Sequence, residues 1–258
     1  MIIHQQGNSM GNFNYNAYIY NDIIWDSHFH GNYELVYTIK GITKLMVNGK
    51  SYAISGGEFF LISPYSIHSL IIDKNTKTWV GVFSKDYISD FAKINKYITY
   101  SQFRCKENIE CFLKQYLLYE GTPDRYMCIA CLNAICNECI KNSIPDNTNA
   151  NNDFIERVIQ YISENLTQDI TLKSIAVKLG YEYHYFSSLF HRCFSINFKS
   201  FINIFRFEYA CQIIGDNSKS ITTISYESGF DTVRNFNRVF KELSGCTPSE
   251  YRKNITSA

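Results

Sequence analysis

The sequence predicts an α+β chain of two domains, an N-terminal β-barrel or jelly roll with following helices and then an all-α C-terminal domain. Three observations carry this. Residues 15–84 alternate apolar and polar side chains and are rich in β-branched and aromatic residues. Turn signals recur there every eight to twelve residues or so, which is how short strands close a sandwich or barrel. From residue 153 onward the apolar positions recur at helical spacing instead. Between these regions, residues 142–152 read NSIPDNTNANN, a polar, Asn-rich stretch broken by Pro145 and suited to a linker. The expected boundaries are therefore 1–104 for the barrel, 105–141 for the following helices, 142–152 for the linker and 153–258 for the helical domain.

Within the barrel, residues 35–39 read as a strand stopped by Gly41, and residues 59–62 as one stopped by Ser63-Pro64. Residues 44–47 end at Asn48-Gly49, a strong two-residue hairpin signal. His28 and His30 are two apart, so on a strand they share a face. Glu34 and Gly41 follow, then Gly57, Pro64 and His68. Imidazoles with a carboxylate suit Fe, Mn, Ni or Zn. In order and spacing these residues resemble the two cupin motifs. That resemblance implies that His28, His30, Glu34 and His68 face the barrel interior, where they either hold one metal ion or line an effector pocket without metal. Trp25, Phe29, Tyr33 and Tyr37 are near enough in sequence to supply aromatic walls, which suits a sugar or another small polar ligand. The candidate effector set is Trp25, His28, His30, Glu34, Tyr37 and His68. No cofactor is expected beyond a metal in the barrel.

Residues 105–141 form two apolar stripes at helical spacing. Ile109, Phe112, Leu113, Tyr116 and Leu117 make the first. After Gly121-Thr122-Pro123 come Met127, Ala130, Cys131, Ala134 and Ile135. Such a pair either packs on the barrel or forms a dimer contact.

The last forty or so residues are the most specific. Residues 222–228 form a short amphipathic helix that Gly229 breaks. A second helix follows with Phe236, Val239, Phe240 and Leu243 on one face. This is the layout of a DNA-reading helix-turn-helix. Its other face carries Arg234, Asn237, Arg238 and Lys241. Arg forks onto guanine, Asn pairs with adenine and Lys neutralises phosphate. Thr247-Pro248-Ser249-Glu250 then reads as a capping box opening a last helix.

A second, weaker copy lies upstream. Ile175-Ala176 precede Gly180 by the spacing with which Ile224-Ser225 precede Gly229. Thr171 caps a helix over 172–179, and 183–192 form the next, with Phe186, Leu189 and Phe190 inward. A long helix over 198–214 joins the two units.

The run Ile224, Ser225, Gly229, Phe230, Phe236, Arg238, Phe240, Lys241, Gly245, Thr247, Pro248, Tyr251 and Arg252 resembles the signature of the AraC/XylS family of bacterial transcription regulators. Ser225 stands where the family has Ala, Glu182 where it caps with Ser or Thr, and Ser195 where it has Gly. The resemblance implies two recognition helices in adjacent major grooves. The candidate DNA-reading residues are then His184, Ser187, Ser188, His191 and Arg192 in the first unit, and Val233, Arg234, Asn237, Arg238 and Lys241 in the second. It also implies a homodimer built through 105–141 and an activator that works with RNA polymerase.

Composition narrows the field. The chain has 258 residues, 45 % hydrophobic, and a net charge of +1. Bulk charge is low for a DNA binder, so local placement of Arg234, Arg238, Lys241, Arg252 and Lys253 must do the work. Nine Cys lack paired spacing; Cys136-x-x-Cys139 stands alone and reads as ordinary helix residues. No secretion signal or apolar span appears, so a cytoplasmic protein with reduced thiols is expected. The expected function is a sequence-specific, ligand-responsive transcription activator and not an enzyme. Its partners would be double-stranded DNA, a small-molecule effector and RNA polymerase, with no membrane. The alternatives are a metal-dependent cupin enzyme with an accessory DNA-binding domain, and an effector-independent activator.

Overall fold

The computed structural model describes residues 3–4, 15–95, 98–117, 124–145, 152–194 and 196–256. The chain divides into two compact units, with the division between Asn149 and Ala150. The expected turn at 121–123, Ser195 and residues 146–151 of the expected linker lie outside the described residues. Asn142 is the last residue of a helix and not part of a linker.

The first unit is a two-sheet antiparallel β structure with helices against one face. The short strand β1 (Ile3–His4) is grouped with the second unit. The strands of the first unit are β2 (Tyr15–Tyr20), β3 (Ile23–Phe29), β4 (Tyr33–Lys40), β5 (Ile42–Val47), β6 (Lys50–Ser55), β7 (Phe59–Ile62), β8 (His68–Ile72) and β9 (Lys77–Phe83). One sheet runs β2-β9-β4-β7, and the other places β3, β8, β5 and β6 side by side. The hairpin β5–β6 closes through Asn48-Gly49, with Val47 opposite Lys50. Both turn residues have positive φ, 49° and 82°. This is the mirror-image turn whose twist matches the strands, and Asn-Gly tolerates it best.

Alternation on β4 separates two cores. Val36 packs between the sheets with Leu45, Val47, Ile54, Phe60, Ile62, Leu70 and Val80. Tyr33, Leu35 and Tyr37 point the other way, into a cluster with Phe59, Leu61, Trp79 and the helices. Those helices are α1 (Ser89–Ile94), α2 (Glu107–Tyr116) and α3 (Arg125–Asn142). The inward face of α3 differs from the expected stripe. Of that stripe Cys131 and Ile135 are buried, Met127 and Ala134 half-buried and Ala130 exposed, while Cys128, Leu132, Cys136 and Cys139 complete the buried face. Cysteine acts there as a small hydrophobe, and burial pushes these thiols above their ordinary range. All nine Cys are free.

The second unit is helical: α4 (Asn152–Glu164), α5 (Leu172–Leu179), α6 (Tyr183–Phe194), α7 (Phe198–Ile213), α8 (Ile221–Glu227), α9 (Val233–Ser244) and α10 (Pro248–Thr256). The connecting helix α7 is about 24 Å long at 1.5 Å per residue. It is not one apolar stripe. Every residue from 201 to 207 is buried, Asn203 and Arg206 included, while Tyr209 is exposed. One side of α7 meets Phe190 and Phe194 of α6; the other side meets Ile224 of α8 and Phe236 and Phe240 of α9. A helix covered on two sides has no solvent face to keep polar.

Candidate ligand centre and nucleic-acid interface

In the first unit, strand pairing brings four chemistry-bearing residues together. β3 pairs with β8, and a bulge between Trp25 and His28 shifts the register so that His28 sits directly opposite His68. His30 follows two residues on, and Glu34 projects from β4 into the same space. All four are buried, none more than 4 % exposed. Their potential donor atoms all lie within 4.8 Å of one another.

The hydrogen bonds orient these rings. His28 Nδ1 lies 2.8 Å from the Asp26 carbonyl oxygen. His30 Nδ1 lies 3.1 Å from that of Asn32, and His68 Nδ1 lies 2.8 Å from that of Ser66. A carbonyl only accepts, so each Nδ1 carries the proton and each Nε2 is turned inward. Glu34 Oε2 lies 3.1 Å from His30 Nε2 and 3.4 Å from His68 Nε2. His28 Nε2 and Glu34 Oε1 are buried with no hydrogen-bond partner. Burial, and then the neighbouring His68, push the His28 pKa down to about 4. Burial would raise the Glu34 carboxyl, but the charge of His68 and the bonds to both histidines outweigh it and hold Glu34 well below the ordinary carboxylate range.

The residues fit a metal ion. Nδ1-anchored histidines with inward Nε2 atoms and a buried carboxylate are the usual donor set, and carbonyls holding the far ring nitrogen fix such ligands in place.

The other expected wall residues divide. The bulge returns Trp25 to the histidine side, with its ring 6.5 Å from that of His28, and Trp25 packs on the inter-sheet core. Phe29 is buried. Tyr33 and Tyr37 face the helices, because they differ from Glu34 by an odd number of strand positions. Tyr37 stacks on Phe59 and donates from its hydroxyl to Glu110 Oε1 at 2.7 Å. It lines a different, small pocket with Leu35, Trp79, Leu113, Lys114 and Ile135. Tyr33 and Tyr37 therefore lie on the other side of the sheet from the histidines.

In the second unit both helix-turn-helix motifs form. Thr171 caps α5 in a capping box with Ser174, and Gly180 ends the helix in the left-handed conformation. Glu182 caps α6, accepting from the Tyr185 backbone N–H at 2.9 Å. A longer side chain thus does what Ser or Thr does elsewhere. Ser220 caps α8 and Thr232 caps α9. Gly229 turns at φ 83°. The capping box at α10 is present, with Glu250 accepting from the Thr247 backbone N–H at 2.7 Å.

The outward residues of α9 are Arg234, Asn237, Arg238 and Lys241, with Val233 half-buried at its start. On α6 the residues His184, Ser188, His191 and Arg192 are exposed, and Ser187 is half-buried. Aligned on their buried Phe residues, the two helices set His184 against Arg234, Ser187 against Asn237, Ser188 against Arg238 and His191 against Lys241. Sequence reasoning missed Glu242. Arg238 Nη1 donates to both Glu242 carboxylate oxygens at 2.7 Å, and Nη2 donates to Asn235 at 2.9 Å. The i,i+4 spacing of Arg238 and Glu242 was the available signal.

Known proteins agree with this division. A family of AraC-like ligand binding domains matches residues 15–89, and a helix-turn-helix domain family matches residues 175–254. The Transposon Tn10 TetD protein of Escherichia coli is 34 % identical over 100 residues, covering 39 % of this chain and 72 % of TetD. The chain belongs to the AraC family of transcription regulators. Uncharacterized HTH-type transcriptional regulators of Staphylococcus aureus are 28 % identical over 102 residues, 40 % of this chain. The matched part of this AraC-family chain spans only 14 % of their length. Among solved structures, ToxT from Vibrio cholerae covers 93 % of this chain and 98 % of its own, with a TM-score of 0.54 at 20 % identity. ToxT with an unsaturated fatty acid bound aligns at a TM-score of 0.53 and 21 % identity, over 93 % of this chain and 94 % of its own. These likenesses show a shared two-part fold. Among the described residues no helix is long and apolar enough to cross a membrane.

Proposed function

We propose that this AraC-family chain is a cytoplasmic, ligand-responsive transcription regulator and not an enzyme. It binds duplex DNA through α6 and α9, dimerises through the α2–α3 region and acts on RNA polymerase as an activator. The observation that carries the reading is the pair of capped, Gly-turned helix-turn-helix units in one compact body, of which α9 presents Arg234, Asn237, Arg238 and Lys241 to solvent. The Arg238–Glu242 pair does not oppose this, because an exposed ion pair is weak and a guanine edge can displace it. The buried centre at His28, His30, Glu34 and His68 supplies the ligand site. Ligand binding shifts an equilibrium between arrangements of the regulator that match its operator and arrangements that miss it.

The test is selection of duplexes by the full chain from a random DNA pool at near-physiological salt, because phosphate-driven affinity falls steeply with salt. Recovery of one motif with two elements about one helical turn apart is expected. A double Arg234→Ala, Arg238→Ala variant that binds the selected duplex as tightly as the parent refutes the reading.

A further inference from the structure

The ligand of the barrel follows from the geometry of its centre. Three imidazoles turn Nε2 toward Glu34, and each has committed its Nδ1 proton to a backbone carbonyl. A neutral ring of that tautomer offers a lone pair at Nε2, not a proton. His30 Nε2 and His68 Nε2 approach Glu34 Oε2 to 3.1 and 3.4 Å, in a space closed to water. Such convergence of imidazole nitrogens and a carboxylate is the geometry of a cation site. Two further observations favour a cation. His28 Nε2 and Glu34 Oε1 are buried without partners and belong to the same convergent set. One ion can engage all four residues, these two atoms included.

The size of the space agrees. The inter-sheet core beside the histidines is filled by Val36, Leu45, Val47, Ile54, Phe60 and Leu70, none more than 2 % exposed. Two donors on opposite sides of one ion at about 2.1 Å stand about 4.2 Å apart. The widest separation here, 4.8 Å, is only slightly greater. Small side-chain adjustments close the centre around an ion.

We propose that the ligand sensed by this regulator is a divalent transition-metal ion of the zinc, nickel, cobalt or iron(II) group, held by His28, His30, Glu34 and His68. Three neutral imidazoles and one carboxylate favour these borderline ions over magnesium or calcium, which prefer all-oxygen sites. The donors are buried at the strand pairing that fixes the barrel, so occupancy bears on the whole unit: His28 and His68 tie β3 to β8, and Glu34 ties in β4. The inference rests on the regulator reading above and names its ligand.

The experiment strips the full chain with a chelator, desalts it and titrates it separately with Zn(II), Ni(II), Co(II) and, as a control, Mg(II). Bound metal per chain, the Co(II) ligand-field absorption and the thermal midpoint are read together. One transition-metal ion per chain, a tetrahedral or five-coordinate Co(II) spectrum without thiolate charge-transfer bands and a raised midpoint are expected, with no response to Mg(II). His30→Gln and His68→Gln should each weaken binding at least tenfold. Should either variant fail to fold, the wild-type spectrum still decides between imidazole and cysteine ligands. Less than a tenth of an ion per chain from every transition metal overturns the proposal, as does a thiolate spectrum or binding unchanged in folded variants. Loaded and stripped protein are then compared on the selected duplex. A change of fivefold or more is expected, and equal affinity overturns the sensing role. Failure of both forms to select any DNA counts against the regulator reading alone, since the titration judges the ion separately.

Discussion

Replacing Gly229 with alanine, with Gly180→Ala as its matched control, isolates one contact that the second helix-turn-helix depends on. Both glycines turn the chain at the same place in their units, at φ 83° and 78°. An L side chain in that region costs about 1–2 kcal/mol, partly offset by about 0.4–1 kcal/mol from the lost freedom of the unfolded chain. At Gly180 an added Cβ meets nothing within 4 Å, so the net cost should be about 1 kcal/mol. At Gly229 the same atom falls 2.4 Å from the Leu166 carbonyl oxygen and 3.0 Å from Arg206 Nε. The first neighbour is backbone, so the segment at Leu166 must move. Arg206 donates from Nε to Leu166 at 3.2 Å and from Nη2 to Gln168 at 2.9 Å, and moving the segment breaks that clasp. Hydrogen bonds from a charged group contribute about 1.5–3 kcal/mol, which brings Gly229→Ala to about 2.5–4 kcal/mol. The assay is urea unfolding followed by far-ultraviolet circular dichroism, with tryptophan emission as an internal reference. Trp25 and Trp79 are the only tryptophans and both lie in the first unit, so their transition should stay in place. Equal destabilisation by the two substitutions would refute the reasoning.

Ser225 Oγ is buried without a partner in α8, so Ser225→Ala should stabilise the second unit by about 1 kcal/mol in the same unfolding assay; a loss of stability would mean that the hydroxyl is satisfied. Arg234→Ala and Arg238→Ala should each weaken binding to the selected duplex by about 1–3 kcal/mol, while Ser188→Ala, at the matching place in α6, should cost clearly less in the same titration. Glu242→Gln removes the intrahelical carboxylate that Arg238 grips, and tighter DNA binding with less sequence discrimination should follow in competition assays. Backbone N–H groups, that of His184 first, hold the Glu182 carboxyl below its usual range. The folded pKa lies below the unfolded one, so this cap contributes fully above the unfolded value and is lost as pH falls through the folded one. Amide exchange at Tyr185 should therefore speed up at acid pH, and that pH dependence should vanish in Glu182→Gln.

Much of this was legible in the sequence because it rests on local rules. Asn48-Gly49 dictates its hairpin, Thr171 and Thr247 dictate helix starts, and Gly180 and Gly229 dictate left-handed turns after their helices. His28 and His30 share a face through simple alternation. What failed was non-local. Nothing in the spacing announces the bulge between Trp25 and His28, yet the bulge places Trp25 with the histidines and sets His28 opposite His68. Tyr37 was grouped with Glu34 by nearness in sequence, although three positions along a strand put it on the opposite face. The inward face of α3 was read only in part, through Cys131 and Ile135, because further cysteines carry the rest of it and cysteine spacing does not by itself distinguish a packing face from other uses. In α7 no single apolar period marks an inward face, because neighbours enclose the helix on two sides.

The alternation of β4 also suggests how a buried ion can be felt at a distance. Glu34 and Val36 point between the sheets, and Tyr33, Leu35 and Tyr37 point to the helices. The strand is hydrogen-bonded on both sides, to β7 and β9, so its two faces move as one body. Any displacement that brings Glu34 onto an ion is transmitted through the same few peptide units to Tyr37, whose hydroxyl holds Glu110 on α2. Packed interiors do not absorb such shifts gradually. The α2–α3 pair, which rests on Leu35, Tyr37, Phe59 and Trp79, is then the element whose position should report occupancy. It is also the region proposed to join two copies of the chain. A ligand too small to touch the helices directly can still bias the dimer, because the strand that binds it is also the floor on which those helices rest.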